Sequence, residues 1–265
     1  MEKYLKPALI AVAIIAFVSL ISLIFKDKSS RDIDKIIESG RLRVLTDNSS
    51  LGFKIEKDSV YGFQYELIKA FASKIGVELE IAENDDVNEC INELTTGNYD
   101  IVTALIPVTN EYKDLVLFTN PLQVDRQMLV QRTNDSTKFI SKQYQLANDT
   151  IYLPENSPYT MLIRNLSEQI SDTVFVLELK NTNTDVAVKM VADGILSYTI
   201  CPERYAKKMI EIYSNLDITL PLGFQQSTAW VVPKNSINLQ AKLNEFLFDF
   251  VGSEAYWEIY RKYFK

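Results

Sequence analysis

Val87-Asn88-Glu89-Cys90-Ile91-Asn92-Glu93-Leu94, followed by Gly97-Asn98-Tyr99-Asp100-Ile101-Val102, is the stretch on which the fold turns. It reads as a helix over residues 87–95, a glycine stop and a buried strand over 100–105. A similar phrase returns on the order of a hundred residues later, a spacing too long for a solenoid. There the order is Val186-Ala187-Val188-Lys189-Met190-Val191, then Gly194-Ile195-Leu196-Ser197-Tyr198-Thr199-Ile200. Such helix-glycine-strand echoes are common in α/β proteins, but this pair points to two similar α/β lobes in one chain.

The surroundings agree. Residues 27–38 form a polar connector and a short helix carrying Ile36 and Ile37, with Gly40 in the helix-stop position. Residues 42–45 read as a strand and 59–62 as a turn. A helix over 64–74 places Leu67, Ile68, Phe71 and Ile75 on one face, and Gly76 stops it. Val77, Leu79 and Ile81 alternate as in a strand. Strands alternating with helices imply parallel βαβ units. Further on, strands are expected at 150–153, 173–177 and 229–232. A helix is expected over 158–169, with Ser157 as N-cap and Pro158 at its first position. Two C-terminal helices follow, one over 239–250, the other with a stripe of Tyr256, Trp257, Tyr260 and Phe264 that reads as core packing.

Composition removes several functions. Of 265 residues, 47% are hydrophobic and 24% charged, an ordinary globular mix that argues against disorder and multi-span membrane classes. There is no histidine, which removes Ser-His-Asp and Cys-His nucleophilic sites and His-ligated zinc or haem. Two cysteines are too few for a four-cysteine metal site. Cys90 and Cys201 are expected as buried free thiols in different lobes. The net charge of −7 argues against non-specific nucleic-acid binding. No Ser-x-x-Lys, phosphate-binding loop or dinucleotide fingerprint occurs. Glu83, Asp85, Asp86 and Glu89 read as charges complementing a helix start, not as a metal site. No metal and no cofactor are expected.

Residues 7–25, PALIAVAIIAFVSLISLIF, carry no charge over 19 positions. At about 1.5 Å per residue such a helix covers about 28 Å, close to the hydrocarbon thickness of a bilayer. No small-x-small cleavage site stands where Leu23, Ile24, Phe25 and Lys26 follow one another. The reading is one uncleaved N-terminal transmembrane helix, with a cleaved signal peptide as the alternative.

Together these phrases resemble the family 3 extracellular solute-binding proteins. The resemblance is carried by Gly40-Arg41-Leu42-Arg43-Val44, Tyr61-Gly62-Phe63-Gln64-Tyr65-Glu66-Leu67, Ala70-Phe71-Ala72, Ile75-Gly76-Val77, Gly97-Asn98-Tyr99-Asp100-Ile101, Val108-Thr109-Asn110-Glu111 and Phe118-Thr119-Asn120-Pro121. Ala229-Trp230-Val231-Val232, Leu243-Asn244-Glu245-Phe246 and Tyr263-Phe264 look most like the non-catalytic N-terminal domain of membrane-bound lytic murein transglycosylase F. The similarity covers about residues 33–265.

The resemblance implies a type II periplasmic-binding-protein-like fold, α/β and two-lobed, with two crossing strands near 124–128 and 224–228. The expected organisation is a membrane anchor over 1–26, a first part of lobe 1 over 27–125, lobe 2 over 126–225 and a return segment of lobe 1 over 226–265. It also implies a bacterial inner (cytoplasmic) membrane location, single-pass, with the C-terminal domain in the periplasm.

Amino-acid-binding relatives grip the ligand carboxylate with an arginine and a threonine of lobe 1, and its ammonium with an aspartate of lobe 2. At those places this chain has Tyr112, Pro107 and Pro202, with Glu203 adjacent to the last. The candidate ligand contacts are therefore Phe53, Thr109, Tyr112, Asn156, Ser157 and Glu203. Phe53 and Tyr112 offer ring faces, and Asn156 and Ser157 stand at a helix start that favours an anionic or carbonyl group. Each has a plainer alternative: Phe53 as core, Ser157 as a cap, Glu203 as a solvated charge.

The function expected is non-catalytic capture of a small molecule or short peptide between the lobes, other than a standard free amino acid. The alternative is a sensor or regulatory module for peptidoglycan stem peptides. No enzymatic activity is expected, since the chain reaches Lys265 without the lysozyme-like domain a transglycosylase needs. A transporter or a cell-wall enzyme is a candidate partner.

Overall fold

The computed structural model describes residues 31–264 apart from 57–58 and 134–138. The apolar run 7–25 lies outside the described residues. Among the described residues, no helix is long and apolar enough to cross a membrane.

Lobe 1 is built on three parallel strands: β1 (Arg41–Thr46), β4 (Glu78–Glu83) and β5 (Ile101–Pro107). β1 lies between the others, with Val44 opposite both Ile81 and Ile101. Between them run α1 (Ile33–Ser39), the hairpin β2 (Lys54–Glu56) and β3 (Ser59–Tyr61), α2 (Phe63–Ile75) and α3 (Val87–Thr95). Each helix has a local cause. Asp32 caps α1 through the Ile33 amide, and Gly40 ends it at φ 68°. Gly76 ends α2 at φ 74°. Asp86 caps α3, accepting from the amides of Asn88 and Glu89. The turn expected at 59–62 is in part strand: Ser59, Val60 and Tyr61 pair with Glu56, Ile55 and Lys54, and only Gly62 breaks the extended chain.

After a short helix, α4 (Asn110–Lys113), and β6 (Val116–Phe118), the chain enters lobe 2 along β7 (Gln123–Arg132). Lobe 2 comprises β8 (Thr150–Pro154), α5 (Thr160–Ile170), β9 (Phe175–Leu179), α6 (Thr184–Ala192), β10 (Thr199–Pro202), α7 (Glu203–Ile212) and β11 (Leu216–Asp217). The chain returns along β12 (Pro221–Pro233) to α8 (Ile237–Phe250) and α9 (Glu254–Tyr263). Ser157 is not the N-cap of α5. Tyr159 holds that position without a side-chain bond, because a turn closed by the Thr160 amide on the Ser157 carbonyl precedes the helix.

The two long strands join the lobes. β7 and β12 pair antiparallel, with an irregularity between Leu222 and Gln226; the sheet's main path runs β10-β7-β12-β5-β1-β4, with β11 beside β7 and β6 beside β12. Leu129 and Leu222 belong to the lobe 2 core with Ile151 and Ile163. Further along β12, Trp230 and Val232 belong to the lobe 1 core with Ile36, Phe71 and Leu243. β12 therefore threads both cores, and β7 runs beside it into that of lobe 2. Full burial of each such side chain stabilises its lobe by about 1.5–3 kcal/mol. Cys90 and Cys201 are buried free thiols in separate clusters.

Candidate ligand-binding cleft

The parallel strands of lobe 1 aim their C-terminal ends at lobe 2, where an open α/β sheet places its ligands. Asp47 follows β1, Asp85 follows β4, and Ala104 and Leu105 lie on β5; all four line a cavity of about 150 Å³ between the lobes. Lobe 2 supplies Ser157, Tyr159, Asn183, Pro202 and Arg204 to the opposite wall. Gln64 also borders it, its amide set by the Trp230 indole N–H, which donates to Oε1 at 2.7 Å.

Polar bonds bridge the lobes around this cavity. The Asn156 side chain donates to Asp86 Oδ2 at 2.5 Å. The Asn183 side chain donates to the Asn48 carbonyl at 2.6 Å, while its own oxygen caps α6 through the Val186 amide at 3.0 Å. Asp185 accepts from the Ser50 amide at 3.2 Å and pairs with Lys54 at 3.4 Å. The Tyr205 hydroxyl also donates to Asp185. Residues 48–54 of lobe 1 are thus held against the start of α6.

The cavity is electrostatically polarised. Burial pushes the Asp47 carboxyl above the usual range, against the lowering effect of the Ser49 hydroxyl. Asp85 keeps surface open to solvent, yet its carboxyl is crowded on the cavity side. Burial, followed by repulsion from Asp47, Glu83 and Asp185, pushes it up to about 6 despite a bond from the Asn48 amide. Burial likewise pushes the Tyr159 and Tyr205 hydroxyls well above their ordinary range, so both stay neutral. Lobe 1 therefore offers acceptors and negative charge; from lobe 2, Arg204 borders the cavity and Asp185 adds a carboxylate near Asp47 and Asp85.

Of the six residues singled out from sequence, Ser157 lines the cavity and Asn156 stands beside it in the Asp86 bond. The other four are placed elsewhere. Phe53 is buried edge-on to Tyr65, with ring centroids 5.3 Å apart. Thr109 caps α4 by accepting from the Tyr112 amide at 3.3 Å. Tyr112 packs on the lobe 1 core beside Phe118. Glu203 pairs with Lys207 at 2.7 Å and Arg126 at 3.1 Å; the Lys207 bond leads in holding its carboxyl below the usual range. Sequence reasoning assigned none of Asp47, Asp85 and Arg204 to the site, and read Asp85 only as a helix-start charge. The signal available for the two aspartates was their position just after parallel strands.

Residues 42–265 match the family described as bacterial extracellular solute-binding proteins, family 3. Two curated relatives are membrane-bound lytic murein transglycosylases F. The one from Desulfosudis oleivorans is 27% identical over 89% of this chain and 51% of its own length. The one from Photobacterium profundum is 26% identical over 91% of this chain and 47% of its own. The chain thus spans about half the length of the curated relatives it matches. Among solved structures, an ancestral arginine-binding protein bound to glutamine superimposes with a TM-score of 0.72 at 25% identity, covering 85% of this chain and 98% of that one. A two-lobed sheet threaded by β7 and β12, a cavity between the lobes and a family match over 42–265 agree: this chain belongs to the bacterial extracellular solute-binding proteins, family 3.

Proposed function

We propose that this chain is a membrane-anchored extracytoplasmic receptor that captures a small solute between its lobes and performs no chemistry on it. The observation that carries the reading is the polarised cavity of about 150 Å³ enclosed by bonds between the lobes. A void of about 150 Å³ suits a molecule of benzene size or slightly more. Its walls favour a ligand with a cationic or amide N–H group toward Asp47 and Asp85 and an acceptor toward Arg204. Ligand contacts to both walls stabilise the closed arrangement over an open one, which is the device of hinge-closing receptors.

The second reading is a sensor of peptidoglycan stem peptides. It is favoured by relatives named as murein transglycosylases. A stem peptide would enter this cavity by one end only, with its amides replacing charges. Mass spectrometry of ligand retained by the full chain decides between the two: a small cationic solute supports the first, a muropeptide the second, and no ligand from any source removes both. Release of anhydro-sugars from purified murein by the homogeneous protein would overturn the non-catalytic reading.

A further inference from the structure

We propose that the pole of lobe 1 formed by Arg31, Asp32 and the start of α8 faces the bilayer, and that the cleft is held on the far side of that lobe. This rests on the reading of residues 7–25 as a membrane anchor. The described chain begins firmly fixed. Arg31 donates to Asp100 through Nε at 3.0 Å and Nη2 at 2.5 Å, and to the Arg41 carbonyl at 2.8 Å. Asp100 is fully buried and also holds Arg43 at 2.7 Å. The Arg31 carbonyl accepts from Ser236 Oγ at 3.0 Å. Asp32 caps α1 and also accepts from the Leu239 amide at 2.7 Å and the Asn238 amide at 3.2 Å, so one carboxylate ties the starts of two helices. Residue 31 is no pivot.

The tether is short. Only residues 26–30 separate the apolar run from Arg31. Fully extended, that distance is about 20 Å. Crossing the headgroup layer takes roughly 6 Å of it, leaving about 15 Å above the surface. The cleft lies at the other end of the sheet: Arg41 opens β1 beside Arg31, and Asp47 follows β1 at the cavity. The six residues of β1 alone span about 20 Å. Turning the cleft toward the bilayer would need more tether than the chain provides. The pole itself suits an interface: Ile237 is 62% exposed beside the Asp32 bonds, and Lys234 is exposed just before it. Ligand-driven closure then moves lobe 2 above lobe 1, where a periplasmic partner can meet it, and not against a pore in the same membrane.

The full chain in vesicles of phosphatidylethanolamine and phosphatidylglycerol, with an acceptor dye on the headgroups, provides the test. A donor dye is placed on Lys35→Cys in α1 or on Glu168→Cys in α5; both positions are exposed and the native thiols are buried. Energy transfer is expected to be several-fold stronger from position 35. Insertion of about 20 Gly-Ser residues after Ser29 should erase the difference by freeing the lobe. Flotation with the vesicles but equal transfer from both positions overturns the orientation while leaving the anchor intact. Failure to float with vesicles overturns the anchor and the orientation with it.

Discussion

Asn156 of lobe 2 and Asp86 of lobe 1 meet across the cleft, the asparagine amide donating to Oδ2 at 2.5 Å. Each residue is committed locally as well. Asp86 Oδ1 caps α3, and Asn156 holds a left-handed turn at φ 55°. Glycine preserves that turn while deleting the amide. Asn156→Gly is therefore expected to leave the fold intact and weaken closure. The loss of one partly buried bond to a carboxylate is worth about 1–2 kcal/mol, or roughly a 5- to 30-fold shift toward the open form. Small-angle scattering reads this as a larger radius of gyration. An unchanged profile would show that the Asn183–Asn48 and Asp185–Ser50 bonds hold the lobes by themselves.

The raised carboxyls give stability a definite pH sense. Asp85 stands near 6 in the folded chain, above the ordinary value of about 3.9. Its contribution is fully present below the ordinary value and is lost as pH rises through about 6. Asp47 acts in the same direction. Other carboxylates, Glu203 among them, act oppositely, so the difference between variant and parent is the informative quantity. Asp85→Asn should flatten the fall in melting temperature between pH 4.5 and 7.5 relative to the parent, by a modest amount because solvent reaches one side of the residue. Parallel melting curves would place the Asp85 carboxyl in ordinary solvent.

Trp230 is fully buried, and its N–H donates to Gln64, itself only 1% exposed. Phenylalanine in its place removes volume and strands the Gln64 oxygen. Trp230→Phe should cost about 2–3 kcal/mol in urea unfolding. The double variant with Gln64→Leu should recover part of the loss, since an apolar pair needs no partner. Additive losses would show that the bond contributes little and that packing alone is at work.

The α/β order was legible where one period governs a segment. α3 was read at the observed bounds because Val87, Cys90, Ile91 and Leu94 form one buried face and Gly97 follows. β12 was legible only in its second half, where Ala229 to Val232 are apolar. Its first half carries exposed Phe224 and Gln225 and a register irregularity, so no alternation marks it. α7 was missed although Tyr205, Ala206 and Met209 are its buried face, because Pro202 and Glu203 were weighed as ligand positions or a solvated charge and not as a helix start. The site was less legible than the fold. Asp85 and Asp86 were treated as one helix-start cluster, a role that Asp86 fills and Asp85 does not. Which of two adjacent carboxylates faces a cavity depends on the exit path of β4, a tertiary fact. Arg204 is likewise placed by the fold.

The polarity of the cleft predicts its selectivity. In the arrangement implied by amino-acid-binding relatives, the carboxylate of the ligand meets an arginine of lobe 1 and its ammonium meets an aspartate of lobe 2. Here lobe 1 lines the cavity with Asp47 and Asp85, and lobe 2 with Pro202 and Arg204. Tyr112, at the expected arginine position, packs on the lobe 1 core. A free α-amino acid in that orientation would set its carboxylate against Asp47 and Asp85, and its ammonium would meet Pro202 in place of an aspartate. Micromolar binding needs about −8 kcal/mol. A small polar ligand must draw most of this from well-paired charges, because it has little apolar surface to bury. No standard amino acid is therefore expected to bind at micromolar or tighter affinity. Small amines or amide-bearing fragments with an acceptor toward Arg204 are expected to bind better. For a cationic ligand the affinity should rise as pH passes about 6, where Asp85 ionises. Calorimetry at pH 5 and pH 7.5 against the standard amino acids, simple amines and stem peptides reads both effects. Tight binding of a free amino acid, abolished by Arg204→Gln, would show that the zwitterion sits reversed, with its carboxylate on lobe 2.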